Sequence, residues 1–267
     1  MPCFSSDIRK QFMIHEIIDA SSVSPLFGQW EETLIWSCLQ GFMGKIYADD
    51  LKHPTAAMAV LGDFTFFAGI PCPELVSYKP GWCTQNYMIM VPQNEGWQTI
   101  ITQHYGNKAK IITRYATKKE PGIFNQHQLK KAVAELPESF TLSAINEEIY
   151  KLCKTEIWSA DLVSQFSTYE AFHNLGIGVV IRKNGLIVSG ASSYSRYLDG
   201  IEIEIDTREE YRRKGLAYIC GAKLILECLK RNLYPSWDAH NPASMALAEK
   251  LGYHFSHAYQ AVEIWGY

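Results

Sequence analysis

The sequence has little that would suit it to a membrane, a metal or a polyanionic partner. No run of about 18 apolar residues occurs, so no segment is expected to span a bilayer. The opening stretch MPCFSSDIRKQF lacks the apolar core of a secretory signal. Seven cysteines stand at positions 3, 38, 72, 83, 153, 220 and 228, with no Cys-x-x-Cys pair and no Cys/His ligand spacing. No metal site is therefore expected, and an odd, scattered set of thiols points to a reducing cytoplasm. There is no basic surplus: 25 Lys and Arg face 28 Asp and Glu, a net charge of −3, which argues against a general nucleic-acid binder. Neither G-x-x-x-x-G-K-[ST] nor H-E-x-x-H appears, and Gly176-Ile-Gly178 lacks the third glycine of a dinucleotide loop.

What is present is enough apolar material for a sizeable core, 47% of 267 residues, in one large domain or two modest ones. In the first half, Glu31–Leu39 reads as a helix. Residues 56–61 and 64–70 read as a hairpin across Gly62-Asp63. Gln98–Tyr105 and Lys110–Thr117 are strand candidates, and Asn125 caps an expected helix to about Glu135, with Pro137 just beyond. The pattern restarts there, so we read residues 1–136 as an N-terminal α/β domain and 137–267 as a second domain.

In that second part, strands at Phe140–Ala144, Ile177–Arg182, Leu186–Ala191 and Ile201–Ile205 alternate with helices, which predicts a mixed α/β sheet flanked by helices. Asn184-Gly185 is a strong hairpin signal. Along Ile201–Ile205 the isoleucines share one face, and Glu202 and Glu204 the other. A long helix to about Asn232, a short strand around Trp237, a helix from Pro242 to Leu251 and two final strands complete the reading. Cys220 and Cys228 fall on the buried stripe of the long helix and are expected to be inert. Trp30, Trp36, Trp82, Trp97 and Trp158 are read as packing residues. His254 and His257 have no visible partner in sequence.

The informative stretch is Thr207-Arg-Glu-Glu-Tyr-Arg-Arg-Lys-Gly-Leu-Ala217. Arg212, Arg213 and Lys214 crowd the positive pole of the following helix, each costing roughly 0.3–1 kcal/mol if exposed. Gly215 in the first turn adds up to about 1 kcal/mol relative to alanine. A local breach of helix rules is what a functional site looks like. Free amides at a helix start, a glycine that admits a ligand, and flanking cations make a phosphate site. The competing reading is a solvated basic turn balanced by Glu209 and Glu210.

Arg212-x-x-Gly215-x-Ala217 after a strand resembles the Arg/Gln-x-x-Gly-x-Gly/Ala signature of the GNAT acyltransferase superfamily. Trp237-Asp-Ala-His-Asn-Pro-Ala-Ser-Met-Ala-Leu-Ala-Glu-Lys-Leu-Gly-Tyr253 is similar to that family's late strand, Asn turn and helix ending. More narrowly, the chain is similar to a bacterial group with an extra N-terminal half, itself a candidate degenerate GNAT-like sheet. The resemblance implies acetyl-CoA as co-substrate, its pyrophosphate on the amides of Arg212, Arg213, Lys214, Gly215, Leu216 and Ala217. Its thioester and pantetheine would lie along a splayed strand at Ile205, Asp206 and Thr207, with Asn241 and Ser244 lining the coenzyme.

The implied reaction is direct transfer of acetyl to an amine of a small molecule or peptide. Glu204 and Glu202 are the candidate bases, and His240, whose ordinary pKa suits proton transfer near neutrality, is the next. Many family members place a tyrosine at the position of Ala248 to protonate the leaving thiolate. Alanine cannot do that, and Ser244 or Tyr253 would have to substitute. Three functions stay open at this stage: an N-acetyltransferase, a non-catalytic acyl-CoA-binding regulator, and an N-terminal half that acts as an interaction or homodimer module.

Overall fold

A computed structural model of the chain describes residues 13–267. Cys3 and the MPCFSSDIRKQF stretch lie outside the described residues. The first elements are β1 (His15–Ile17), α1 (Ser24–Phe27), α2 (Thr33–Leu39), β2 (Lys45–Ala48), β3 (Ala56–Leu61), β4 (Phe64–Gly69), α3 (Pro73–Ser77), β5 (Tyr87–Pro92), α4 (Glu95–Tyr105) and β6 (Ala109–Thr117). There follow α5 (Gln126–Ala134), β7 (Thr141–Ala144), α6 (Glu147–Cys153), α7 (Ile157–Ala160), α8 (Tyr169–Leu175), β8 (Gly178–Lys183), β9 (Leu186–Tyr197) and β10 (Gly200–Thr207). The chain ends with α9 (Leu216–Leu229), β11 (Tyr234–Ser236), β12 (Asp238–Ala239), α10 (Pro242–Leu251) and β13 (Phe255–Trp265).

Compactness divides the chain into two units, neither of them one continuous segment. The first holds residues up to Trp30, Lys45–Lys110 and Val262–Tyr267; the second holds Glu31–Gly44 and Ile111–Ala261. In the first unit β1, β2, β3 and β4 pair antiparallel in order, β5 runs parallel to β4, and the end of β13 closes antiparallel on β5. The predicted hairpin at Gly62 is present, with Gly62 at φ +60°. Only a glycine takes that value cheaply.

Gln98–Tyr105, read above as a strand, is helical. Asn94 caps α4 by accepting from Trp97 N, and Trp97 and Ile101, four residues apart, are both fully buried. The cap and that spacing override the β-branched run Thr99–Thr102. The two strands expected at the C-terminus are one, β13, of 11 residues.

The second unit is built on a five-stranded sheet in the order β11-β10-β9-β8-β7. All its pairs are antiparallel except β10–β11, and β12 pairs separately with β6. Asn184 and Gly185 both take positive φ at the β8–β9 turn, as a type I′ hairpin requires.

The alternation expected on β10 holds. Ile201 and Ile203 are buried in a core with Leu216, Cys220, Leu224 and Ile225 of α9. The opposite face is covered by α2 and by the α6–α8 segment, whose core includes Ile149, Leu162 and Phe172. Glu202 is therefore buried and Glu204 half-buried. Cys220 and Cys228 are buried, and burial pushes both thiols up to about 12. His254 does have a partner: its Nδ1 lies 2.6 Å from Glu120 Oε2. No helix among the described residues is long and apolar enough to cross a membrane.

Candidate functional site

The β10–β11 pairing lasts three residues and ends at Glu202 opposite Ser236. Beyond that point β10 continues to Thr207 with only β9 beside it. The sheet therefore forks, and one edge of β10 is left open. Arg208 N donates to Val188 O. The antiparallel alternation then directs Asp206 and Glu204 to β9, and Ile203, Ile205 and Thr207 to the open side. Of these, Thr207 is already used: its N–H donates to Asp206 Oδ1 at 2.6 Å, and its hydroxyl lies 2.7 Å from Ser189 Oγ. Ile205 is thus the residue best placed to offer a free N–H and C=O. Burial raises the Asp206 carboxyl above its ordinary value, opposed by the Thr207 N–H and Arg212.

After β10 a single 3-10 turn, Glu209–Tyr211, leads to α9. Arg212 ties this loop back to the strand by donating from Nε to Thr207 O at 3.0 Å. Lys214 Nζ donates to Glu210 O and sits 4.7 Å above the Tyr211 ring. Arg213 (φ +60°) and Gly215 (φ +79°) are both left-handed. Such turns gather successive N–H groups into an anion-binding concavity. Gly215 is the N-cap of α9, and no side chain caps the helix. The amides of Leu216, Ala217 and the next residue consequently lack intrahelical partners. A Cβ on Gly215 would meet no atom within 4 Å. These residues fit a pyrophosphate in their local chemistry: unused donors, a helix dipole and exposed cations.

Arg213 carries a backbone cost that no hydrogen bond or ion pair among the described residues offsets. We expect Arg213→Gly to raise stability by roughly 1 kcal/mol in urea denaturation, because it removes a left-handed non-glycine. The same change should weaken coenzyme A binding, because it removes a cation from the loop. A variant that is both less stable and unchanged in affinity would overturn this reading.

The other side of the fork holds a buried ionic cluster. Glu202 is 7% exposed. Its Oε1 accepts from Asp238 N at 2.7 Å and its Oε2 accepts from Thr33 Oγ1. Burial pushes its carboxyl up to about 7; the Thr33 hydrogen bond opposes this, the Asp238 charge adds to it, and Lys119 lowers it. Asp238 is held by Arg114 Nε at 2.6 Å and by Tyr259 OH at 2.9 Å. His240 is exposed, with Nδ1 3.4 Å from Arg114 Nη1. Glu202 and His240 are thus linked through Asp238 and Arg114 rather than in contact. Glu204 is half-buried on the same face of β10.

The Asn241 turn forms as its residue types dictate. Asn241 Oδ1 accepts from Ser244 N at 2.9 Å, Pro242 opens α10, and Gly252 ends it in the left-handed region. Ser244 Oγ accepts from Trp237 Nε1 at 3.2 Å. Ala248 is fully buried. Tyr253 cannot take over an acid's role from the core: its hydroxyl donates to Pro235 O at 2.6 Å, and burial holds its phenol well above the usual range. Glu32, Thr33, Arg114 and Asp238 were not singled out in the sequence. Asp238 lies inside the Trp237–Tyr253 run, but the other three carry no local signal.

Residues 24–262 match the family model described as GNAT acetyltransferase. The chain is 26% identical over 251 residues to the uncharacterized N-acetyltransferase YdfB of Bacillus subtilis (strain 168), covering 87% of this chain and 91% of that protein. A crystal structure of a GCN5-related N-acetyltransferase-like protein from Streptococcus suis 89/1591 is 49% identical, with a TM-score of 0.88, covering 92% of this chain and 98% of that one. A GCN5-related N-acetyltransferase from Sphaerobacter thermophilus shares the fold at 12% identity, with a TM-score of 0.53 over 94% of each chain. With the forked sheet and the uncapped glycine-started helix already described, these matches show that the chain belongs to the GNAT acetyltransferase family and is an acyltransferase.

Proposed function

We propose that the protein transfers acetyl from acetyl-CoA to an amine of a small molecule or peptide. The fork in the sheet carries this reading. One arm offers the open edge of β10 to the pantetheine and thioester, and the α9 start receives the pyrophosphate. At the crotch stands Glu202, a carboxyl whose pKa near neutrality suits proton transfer. The amine nitrogen attacks the thioester carbonyl and an N–C bond forms. The C–S bond then breaks, Glu202 takes a proton from nitrogen, and the departing thiolate takes one from water. A thiolate is a tolerable leaving group near neutrality, so Ala248 need not be replaced by an acid.

His240 and Glu204 remain the second candidates for the base. His240 stands exposed beside Arg114 at the rim, and Glu204 lies two residues further along β10. We place coenzyme binding in residues 137–267. Residues 1–136 supply α2 to the same unit, together with segments that suit an interaction or homodimer role.

The test is thiol release from acetyl-CoA with a panel of amines. Amine-dependent release is the expected result. Tight coenzyme A binding without turnover on any amine would favour a regulatory protein instead. Glu204→Gln and His240→Ala should each lower kcat less than Glu202→Gln does; a larger loss at either would move the base there.

A further inference from the structure

Glu202 is clamped from two sides. Asp238 N donates to Oε1 from β12, and Thr33 Oγ1 donates to Oε2 from the first residue of α2. Thr33 is 1% exposed, on a helix whose Leu34, Ile35 and Cys38 are also buried. A valine of the same shape would suit that setting without the cost of burying a hydroxyl. The hydroxyl serves no bond within α2; its partner is Glu202. Docking of the helix is served four residues on, where Ser37 Oγ donates to Arg196 O of β9 at 2.7 Å.

The other groups around Glu202 act on it at a distance. Burial raises its carboxyl, and the Thr33 hydrogen bond is the largest influence opposing that rise; Asp238 adds to it, and Lys119 beyond β6 lowers it. Arg114 of β6 is taken up by Asp238. Glu32, ahead of α2, is held well above the usual carboxylate range by burial and is an uncharged acid near neutrality. Burial likewise keeps the phenols of Tyr197 on β9, Tyr234 on β11 and Tyr253 beyond α10 un-ionised. Among the described residues Thr33 is thus the one side chain that donates to Glu202, and replacing it alters no charge.

We propose that Thr33 is the positioning residue of the proton acceptor: its hydroxyl fixes the Glu202 carboxylate in one orientation, so that α2 completes a centre otherwise built from the later strands. This deepens the reading of Glu202 as the base and rests on it. A hydroxyl serves both states of the carboxyl, donating to the carboxylate and turning to accept from the acid. The charge-assisted bond is the stronger of the two, so its loss delays ionisation to higher pH.

The experiment compares full-length wild type with Thr33→Val, Thr33→Ser and Ser37→Ala. Thiol release from acetyl-CoA is followed against pH with the amine of the panel that gives the fastest release and does not itself titrate nearby. Thr33→Val should move the limb upward by about one pH unit. Its kcat/KM should therefore fall about five-fold at pH 7 and recover above the shifted limb. Thr33→Ser should restore the wild-type profile, and Ser37→Ala should lower stability with the limb in place. Infrared difference spectra against the matching Glu202→Gln protein follow the carboxylic C=O band of Glu202 without any acceptor and should show the same shift. An unmoved limb and band in folded Thr33→Val would overturn the proposal, as would an equal shift in Ser37→Ala. If Thr33→Val does not fold, Thr33→Ala replaces it; failure of both to fold would make Thr33 structural and overturn the proposal too. Full activity in Glu202→Gln would remove Glu202 as the base, and the proposal with it, even with the infrared band shifted.

Discussion

Gly215→Asp is expected to abolish measurable coenzyme A binding while leaving a folded protein. The position is the N-cap of α9 at φ +79°, and an added side chain would meet nothing in the fold. A non-glycine residue there costs about 1–2 kcal/mol of backbone strain, and aspartate is among the residues that tolerate it. The folded state should survive such a loss, which is a modest part of a domain's usual stability. Binding is another matter. The space that receives the side chain is where the uncapped amides of α9 point, so a carboxylate would occupy the anion's position and repel its charge. Isothermal titration with coenzyme A should show at least a hundred-fold loss, while Gly215→Ala should bind between the two. Unchanged affinity in a folded Gly215→Asp protein would remove the pyrophosphate from this helix start.

Much of this arm of the site was legible because its signals are local. A glycine at the helix start, cations at the wrong helix pole and an Asn-Pro start are each written within a few residues. The structure has Asn241 as a cap, but puts Gly215 at the N-cap rather than inside the first turn, with Gly215 and Arg213 both left-handed, which the sequence reading did not foresee. The alternation of isoleucine and glutamate on β10 was equally readable. What the alternation could not say was what covers the glutamate face. It is covered by α2, a helix about 170 positions earlier in sequence, and Thr33 Oγ1 donates to Glu202 from there. No short-range pattern records a contact of that separation, so the helix that covers Glu202 could not be named from the sequence and Glu32 went unnoticed. The same limit applies to the first half of the chain. Residues 31–44 pack with the later sheet and not with their sequence neighbours. The strand read at Gln98–Tyr105 came from weighing β-branched side chains above the Asn94 cap and the Trp97–Ile101 spacing.

Glu202→Gln should separate activity from stability in opposite directions. In the proposed role of proton acceptor Glu202 would contribute a factor of about 10²–10⁴ typical of general-base catalysis, so kcat with any accepted amine should fall at least a hundred-fold. The glutamine amide can keep both native contacts: its oxygen accepts from Asp238 N, and its NH2 donates to Thr33 Oγ1. The fold should not suffer, and above neutrality it should gain.

In the wild type the folded-state pKa of Glu202 is raised to about 7 from 4.5. The folded protein therefore holds a proton that the unfolded chain has already released. The resulting stabilisation is complete below about pH 4.5 and is lost as pH climbs toward 7, a change of about 3 kcal/mol. Glutamine has no proton to lose, so urea denaturation of Glu202→Gln should show a flatter pH dependence and a higher midpoint than wild type at pH 8. Wild-type kcat/KM, taken with an acceptor that does not itself titrate nearby, should rise through a limb near pH 7 that the variant lacks. A purely structural glutamate would give the same stability profile but leave kcat and the pH–rate limb unchanged in the variant. A base whose carboxylate form is strained by burial, relieved only when it takes a proton from the amine, predicts the loss of rate and the gain in stability together.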